Sequence, residues 1–288
     1  MHSRQVSQKT TKGFTLVELI LVIVLLGIVG VGTAKFIRSA SDIYVDLTER
    51  DKLLRNATFV TERFTRELSN AVPNSIRIGG NAAVHCIEFV PVNWSSFYLS
   101  LPAVGDTSPV MDIVKMTDID GNAYGLASSD HAIVYPLSAS HVYDQSQNRR
   151  QSISSCSDDG DGDCTTDDDS DGIVQLSVDD GFALSSPTRR IYIANASISY
   201  CLRNGSVYRH ETSLLANQQV YTSGGELMAE GLGNALSANP SSSTIISDPF
   251  QTVGATLARN GYVRINFLFT RGTEQISIVK EVHVPNVP

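Results

Sequence analysis

The chain has 288 residues, 42% of them hydrophobic, enough for one large packed domain or two small ones. A net charge of −8 argues against nucleic acid as the main partner, because phosphate binding needs a basic face. The acidity is local: eight aspartates fall within residues 158–171, and the remaining 22 acids match the 22 lysines and arginines.

The first element is apolar. Residues 14–34 hold a single charge, Glu18, and Lys35 closes the run. At about 1.5 Å per helical residue, this length spans a hydrocarbon core of roughly 30 Å. A secretory signal peptide would have a shorter apolar centre followed by small residues at its cleavage site, and neither is present. The processing-like pair Lys12-Gly13 comes before the apolar run instead. Arg4, Lys9 and Lys12 precede the run without an acid, whereas residues 35–50 mix both signs. The basic side is therefore expected to stay in the cytoplasm, which places the C-terminal bulk outside.

A carboxylate near the centre of a membrane helix costs on the order of 2.5–3.5 kcal/mol, so it is normally paired and functional. Cleavage after Gly13 would give Phe14 a free α-ammonium group four residues from Glu18, in the same chain or in a neighbour packed alongside. The alternative is an uncut anchor whose Glu18 reaches up to the interface. Gly27, Gly30 and Gly32 suit close approach between helices better than a nucleotide loop.

The stretch Gly13-Phe14-Thr15-Leu16-Val17-Glu18-Leu19 resembles the prepilin cleavage site of type IV pilins and type II secretion pseudopilins. The resemblance covers only a small part of the chain, but it joins a basic leader, Gly, Phe, Glu at the fifth mature place and an uninterrupted apolar helix. It implies that residues 1–13 are a leader removed by prepilin peptidase and that Phe14 is N-methylated. It also implies that Glu18 is the charge that joins subunits. Major pilins commonly carry a helix-kinking proline in the apolar segment. Here none occurs before Pro73, which favours a pseudopilin or minor pilin.

Helical periodicity continues past the membrane stretch. Positions 36, 40, 43, 47, 50, 54, 57, 61, 64 and 68 step by four and three and are mostly apolar, with charges on the other faces. Residues 35–70 are thus expected to form an amphipathic helix ending near Asn70, because Pro73 disfavours helix at Val72. With the apolar part this makes a rod of about 85 Å. A coiled-coil seam competes for the same stripe, but the strand-like segments that follow favour a flanking sheet.

From Gly79 the period changes to two. Strands are expected over 82–90, 111–116, 132–135, 191–202, 207–211, 262–270 and 275–284. Hairpin turns are expected at Asn204-Gly205 and around Arg271-Gly272. Residues 212–261, rich in Ser, Asn, Ala and Gly, read as a long surface excursion with little regular structure. The expected class is α+β: one long helix packed on an antiparallel β-sheet in a pilin-like domain over 71–288, with an acidic insert at 156–172. The segment SISYCLRNGSVYRH and the ending IVKEVHVPNVP resemble the larger minor members of the superfamily: J-type pseudopilins and minor pilins of the mannose-sensitive haemagglutinin (MSHA) kind.

Four cysteines lie beyond the membrane run, an even number that suggests disulfides in an oxidising space, with three connectivities open. Cys156–Cys164 would close a short loop and Cys86–Cys201 would join two strands; four buried thiols are the alternative. Asp167-x-Asp169-x-Asp171-Gly172 matches the start of a calcium loop, and Asp159-x-Asp161-x-Asp163 is a half-match. Val178 stands where such a loop needs Glu, so a solvated acidic loop tied by a disulfide is the competing reading. The six histidines show no metal spacing, and no nucleophile or phosphate-binding motif is found. His85 is expected in sheet surface or core, and Trp94, Phe97 and Tyr98 as a core cluster rather than an exposed patch. The chain is therefore expected to be structural and non-enzymatic, its partners prepilin peptidase, other pilins and the inner membrane. A type II secretion pseudopilin and a non-polymerising membrane-anchored adhesin are the alternatives.

Overall fold

A computed structural model of the chain describes residues 13–158, 162–165, 171–240, 247–253, 261–272 and 274–284. The chain divides into two compact units, residues 1–52 and 53–288. Helix α1 (Leu16–Ser69) contributes to both.

In the first unit every residue from Gly13 to Leu47 is exposed. The sequence expects an apolar stripe from Phe36 onward, yet Phe36, Ile43 and Leu47 are exposed and burial begins at Leu53. The buried set is Leu53, Ala57, Val60, Thr61, Phe64 and Leu68. It keeps the three-and-four spacing of one helix face, with Leu53 in place of Leu54. The helix stops at Ser69, as the proline at 73 demands, and Asn70 then donates its side-chain amide to the Val92 carbonyl at 2.8 Å.

The second unit is built on strands β1 (Arg77–Asn81), β2 (Val84–Phe89), β3 (Trp94–Phe97), β4 (Val110–Val114), β5 (His131–Val134), β6 (Arg150–Ser157) and β7 (Ile173–Val178). These are followed by β8 (Arg190–Ala194), β9 (Ser197–Arg203), β10 (Ser206–Thr212), β11 (Glu226–Glu230), β12 (Phe250–Val253), β13 (Tyr262–Arg271) and β14 (Glu274–His283). A short helix, α2 (Ala139–Tyr143), sits between β5 and β6.

Three sheets result, ordered β1-β2-β9-β10-β11, β12-β13-β14 and β3-β8-β5-β6-β7-β4. Every pairing between these strands is antiparallel. The α+β class expected from the sequence is what forms, but the single sheet envisaged is three.

The first core lies between α1 and two of the sheets. Phe64 is the hub: its ring meets Tyr200 edge-on at 4.9 Å, Phe89 at 6.2 Å and Phe250 at 5.9 Å. From β13, Val263, Ile265, Phe267 and Phe269 point to this core at alternate positions, the period of two that a half-buried strand requires. The two sheets join where Leu232 bridges Phe269, and Thr270 and Gly233 bond across to Gly231 and Leu268.

The six-stranded sheet encloses a second core, including Tyr98, Met111, Ile113, Leu176 and Ile191. Its outer strands β3 and β4 meet through the Tyr98–Ile113 bridge and the Leu99 N–H bond to Asp112 at 2.8 Å, so the sheet curls on itself.

The strand expected over 191–202 is two strands in different sheets. The chain changes sheet at Asn195-Ala196, where Asn195 donates its amide to Asp130 at 3.2 Å. The excursion expected over 212–261 also contains regular structure: β11 pairs with β10, and β12 with β13. Both of the expected hairpin turns are present, joining β9 to β10 and β13 to β14.

Candidate functional site

Gly13, Phe14 and Thr15 precede the first helical residue, Leu16. Thr15 occupies the N-cap place. Its Oγ1 accepts the Glu18 N–H at 3.3 Å and its carbonyl accepts the Leu19 N–H at 3.2 Å. Thr-x-x-Glu is the spacing of a capping box, in which the hydroxyl takes one of the helix's unpaired amides. Thr15 is the residue that the sequence reading passed over, although this spacing was legible.

The geometry changes the account of Glu18. The carboxylate lies in the first turn of α1, not near its middle. There the unpaired amides and the helix dipole favour negative charge. Phe14, Leu16 and Val17 beside it are exposed, at 74%, 74% and 71%. Gly27, Gly30 and Gly32 follow on the helix, and a Cβ built at any of them meets no atom within 4 Å. The apolar part reaches a mean hydropathy of 2.7 over 18 residues, none of them buried. By length and composition it is able to cross a membrane.

Residues 8–34 match the family model of the prokaryotic N-terminal methylation motif. The chain carries a prokaryotic N-terminal methylation motif. This is the prepilin-type signal of type IV pilin-like proteins, and it spans the basic residues Lys9 and Lys12, the Gly13-Phe14 junction, Glu18 and the apolar run. Together with the α1-plus-antiparallel-sheet layout, the motif marks a pilin- or pseudopilin-like chain with an apolar segment suited to membrane anchoring. No curated protein and no solved structure matches the chain.

The cysteines are paired Cys86–Cys201 and Cys156–Cys164. The first pair sits directly opposite in the β2–β9 register, with Cα atoms 4.1 Å apart. Of the candidate calcium ligands, Asp159, Asp161, Asp167 and Asp169 lie outside the described residues. Asp163 Oδ1 accepts from the Thr165 amide and hydroxyl, both at 2.7 Å, and Asp171 Oδ1 from the Ile173 amide at 2.7 Å. These oxygens serve their own turns. Among the described residues no three acidic, His or Cys side chains are grouped to hold a metal ion.

His85 is fully buried, its Nε2 at 2.8 Å from the Ser237 carbonyl and its Nδ1 at 3.8 Å from Asp248. Tyr98 is buried and Trp94 packs edge-on against Tyr124 at 5.5 Å. Phe97 does not join them. Strand alternation turns it outward, half exposed, under the Arg190 guanidinium.

Proposed function

We propose that the chain is a structural minor pilin of a type IV pilus of the MSHA kind. Prepilin peptidase removes the leader after Gly13, Phe14 becomes the methylated N-terminus, and the apolar part of α1 enters the filament. Before assembly the protein sits in the inner membrane, with its β-rich part in the periplasm.

The observation that supports this reading is the conjunction at one helix end: a methylation motif over residues 8–34, with a carboxylate in the first turn of an otherwise uncharged, unburied run. Removing the leader creates a cation at Phe14. A charged pair between that cation and the Glu18 of a neighbouring subunit matches two opposite charges at the end of the apolar run, where packing of subunits strips both of water. The size of residues 53–288 supports a place at the tip, since a folded part this large would crowd a repeating fibre.

The absence of a proline before Pro73 favours a second reading, a minor pseudopilin of type II secretion, to the same degree. Mass spectrometry of the native protein tests both readings: the mature chain begins at Phe14. A chain that begins at Met1 overturns them and leaves a membrane-anchored adhesin. Glu18→Ala should be cleaved and stay in the membrane, yet fail to copurify with sheared filaments. Recovery with pili, as opposed to secretion pseudopili, separates the first reading from the second.

A further inference from the structure

Past its membrane run, helix α1 (Leu16–Ser69) carries an apolar stripe that its own chain leaves uncovered. Phe36, Ala40, Ile43, Leu47 and Arg50 step by four and three residues, the spacing of one seam along a helix. Ile37 and Tyr44 follow the first and third of these and widen the stripe on one side. Phe36 is 74% exposed, Tyr44 72%, Leu47 61% and Ile43 57%. Lipid does not account for this exposure. Lys35, Arg38 and Asp42 stand between the membrane run and Ile43. At about 1.5 Å per helical residue, Ile43 and Leu47 lie roughly 12 and 18 Å beyond Lys35. A contiguous apolar surface held in water marks the seat of a partner.

The charges along the stripe decide which helix fits. A neighbour anchored in the same membrane, on the same side, runs parallel to α1. In a parallel, in-register pair each seam position faces its own counterpart, and the residue before one seam position flanks the residue after another. A second copy of this chain would therefore set Arg50 against Arg50 inside the seam. It would also bring Asp46 beside Asp51 along both edges. Both contacts join like charges, and all three side chains are exposed where a partner would meet them. Like charges placed at a seam are how paired helices reject a wrong partner. The layers at Phe36, Ala40, Ile43 and Leu47 carry no charge and accept any helix with apolar residues at the same spacing.

We propose that residues 36–51 of α1 pair in parallel with the helix of a different chain. That helix has apolar residues in the seam, an acid facing Arg50 and bases facing Asp46 and Asp51. Charge disfavours a second copy of this chain in the same place. The inference rests on the membrane-anchored reading of α1 for its parallel alignment. It adds to that reading the kind of subunit that stands alongside: an unlike one.

Sedimentation velocity of the dye-labelled full chain in neutral detergent tests this, with an excess of unlabelled full chain as the probe. One probe is unsubstituted. The other carries Asp46→Lys, Arg50→Glu and Asp51→Lys together, which supplies the acid and the bases at exposed helix positions and so keeps the fold. The labelled chain should pair with the substituted probe at a concentration at least about tenfold lower than with the unsubstituted one. Ile43→Ser with Leu47→Ser in the labelled chain should abolish that pairing. Equal pairing with the two probes would overturn the choice of an unlike partner. No pairing with either, or pairing that survives the two serines unchanged, would overturn the seam. Such a failure leaves a mature chain that begins at Phe14 as it was, and a chain that begins at Met1 leaves the sedimentation result standing, so the two readings fail separately.

Discussion

Glu67 and Tyr200 are 133 residues apart in the chain and 2.9 Å apart in the fold, the tyrosine hydroxyl donating to Glu67 Oε2. Arg209 Nε donates to the same oxygen at 3.1 Å, and Arg63 Nε to Oε1 at 3.1 Å. One helix carboxylate thereby fastens α1 to β9 and β10. Glu67→Ala leaves a buried hydroxyl without its acceptor and two guanidiniums short of a partner. It should lower stability by about 2–3 kcal/mol, read as a fall in the urea midpoint followed by near-ultraviolet circular dichroism. Glu67→Gln keeps an acceptor and should lose less.

Phe64 is fully buried against three aromatic rings. Phe64→Ala removes those contacts and leaves a cavity, at a cost of about 3–5 kcal/mol. Phe64→Leu should cost less than half of that. Equal effects of the two would show that the site collapses around any side chain.

The disulfides differ in the loops they close. Cys86–Cys201 spans 115 residues and Cys156–Cys164 spans 8. In the chain-entropy account the longer loop is worth about 5 kcal/mol and the shorter about 2.5 kcal/mol. The double alanine variant at 86 and 201 should therefore melt at a lower temperature than the one at 156 and 164. The reverse order would mean that strain or residual structure dominates.

His131 carries the pH prediction. Burial, and then the Arg150 charge, hold its pKa below the ordinary 6.5, against the opposing pull of Asp130 and Asp179. A folded-state pKa that is depressed favours the neutral ring. The stability it contributes is present above about pH 6.5 and lost as pH falls through the folded value. Melting temperature should hold between pH 8 and 7 and fall below about 6.5, with the fall shallower in His131→Gln. Burial depresses His141 and His210 in the same direction, so part of the fall remains in that variant.

Thr15 tests the helix start. Thr15→Val removes the hydroxyl that takes the Glu18 amide. An N-cap is worth about 1 kcal/mol, so exchange of that amide in micelles should quicken about fivefold. No change would place the helix start elsewhere.

The N-terminal site was legible because it is linear: every residue that matters lies between Lys9 and Ala34, and its chemistry follows from hydropathy and one charge. The Asn204-Gly205 turn was legible for a similar reason, since both residues need positive φ and show 49° and 70°. Strand β12 was hidden inside a stretch dominated by Ser, Asn and Gly, and β11 because its burial depends on β10, not on its own alternation. The β8–β9 break was hidden because both halves are apolar; only the Asn195–Asp130 contact explains why the run divides.

The register of β2 against β9 has an evolutionary consequence. Phe89, where β2 ends, lies opposite Ile198, near the start of β9. The whole six-stranded sheet lies between them in the chain, which leaves and rejoins the five-stranded sheet at this pair, three residues from the Cys86–Cys201 bond. Such a lobe can lengthen or shorten between two adjacent junctions while the strands that grip α1 keep their alignment, provided the cluster that Val72 and Leu214 share with Tyr143 and Tyr192 is kept. Diversity among chains built on this plan should therefore concentrate in that graft, leaving the helix-bearing frame to change slowly.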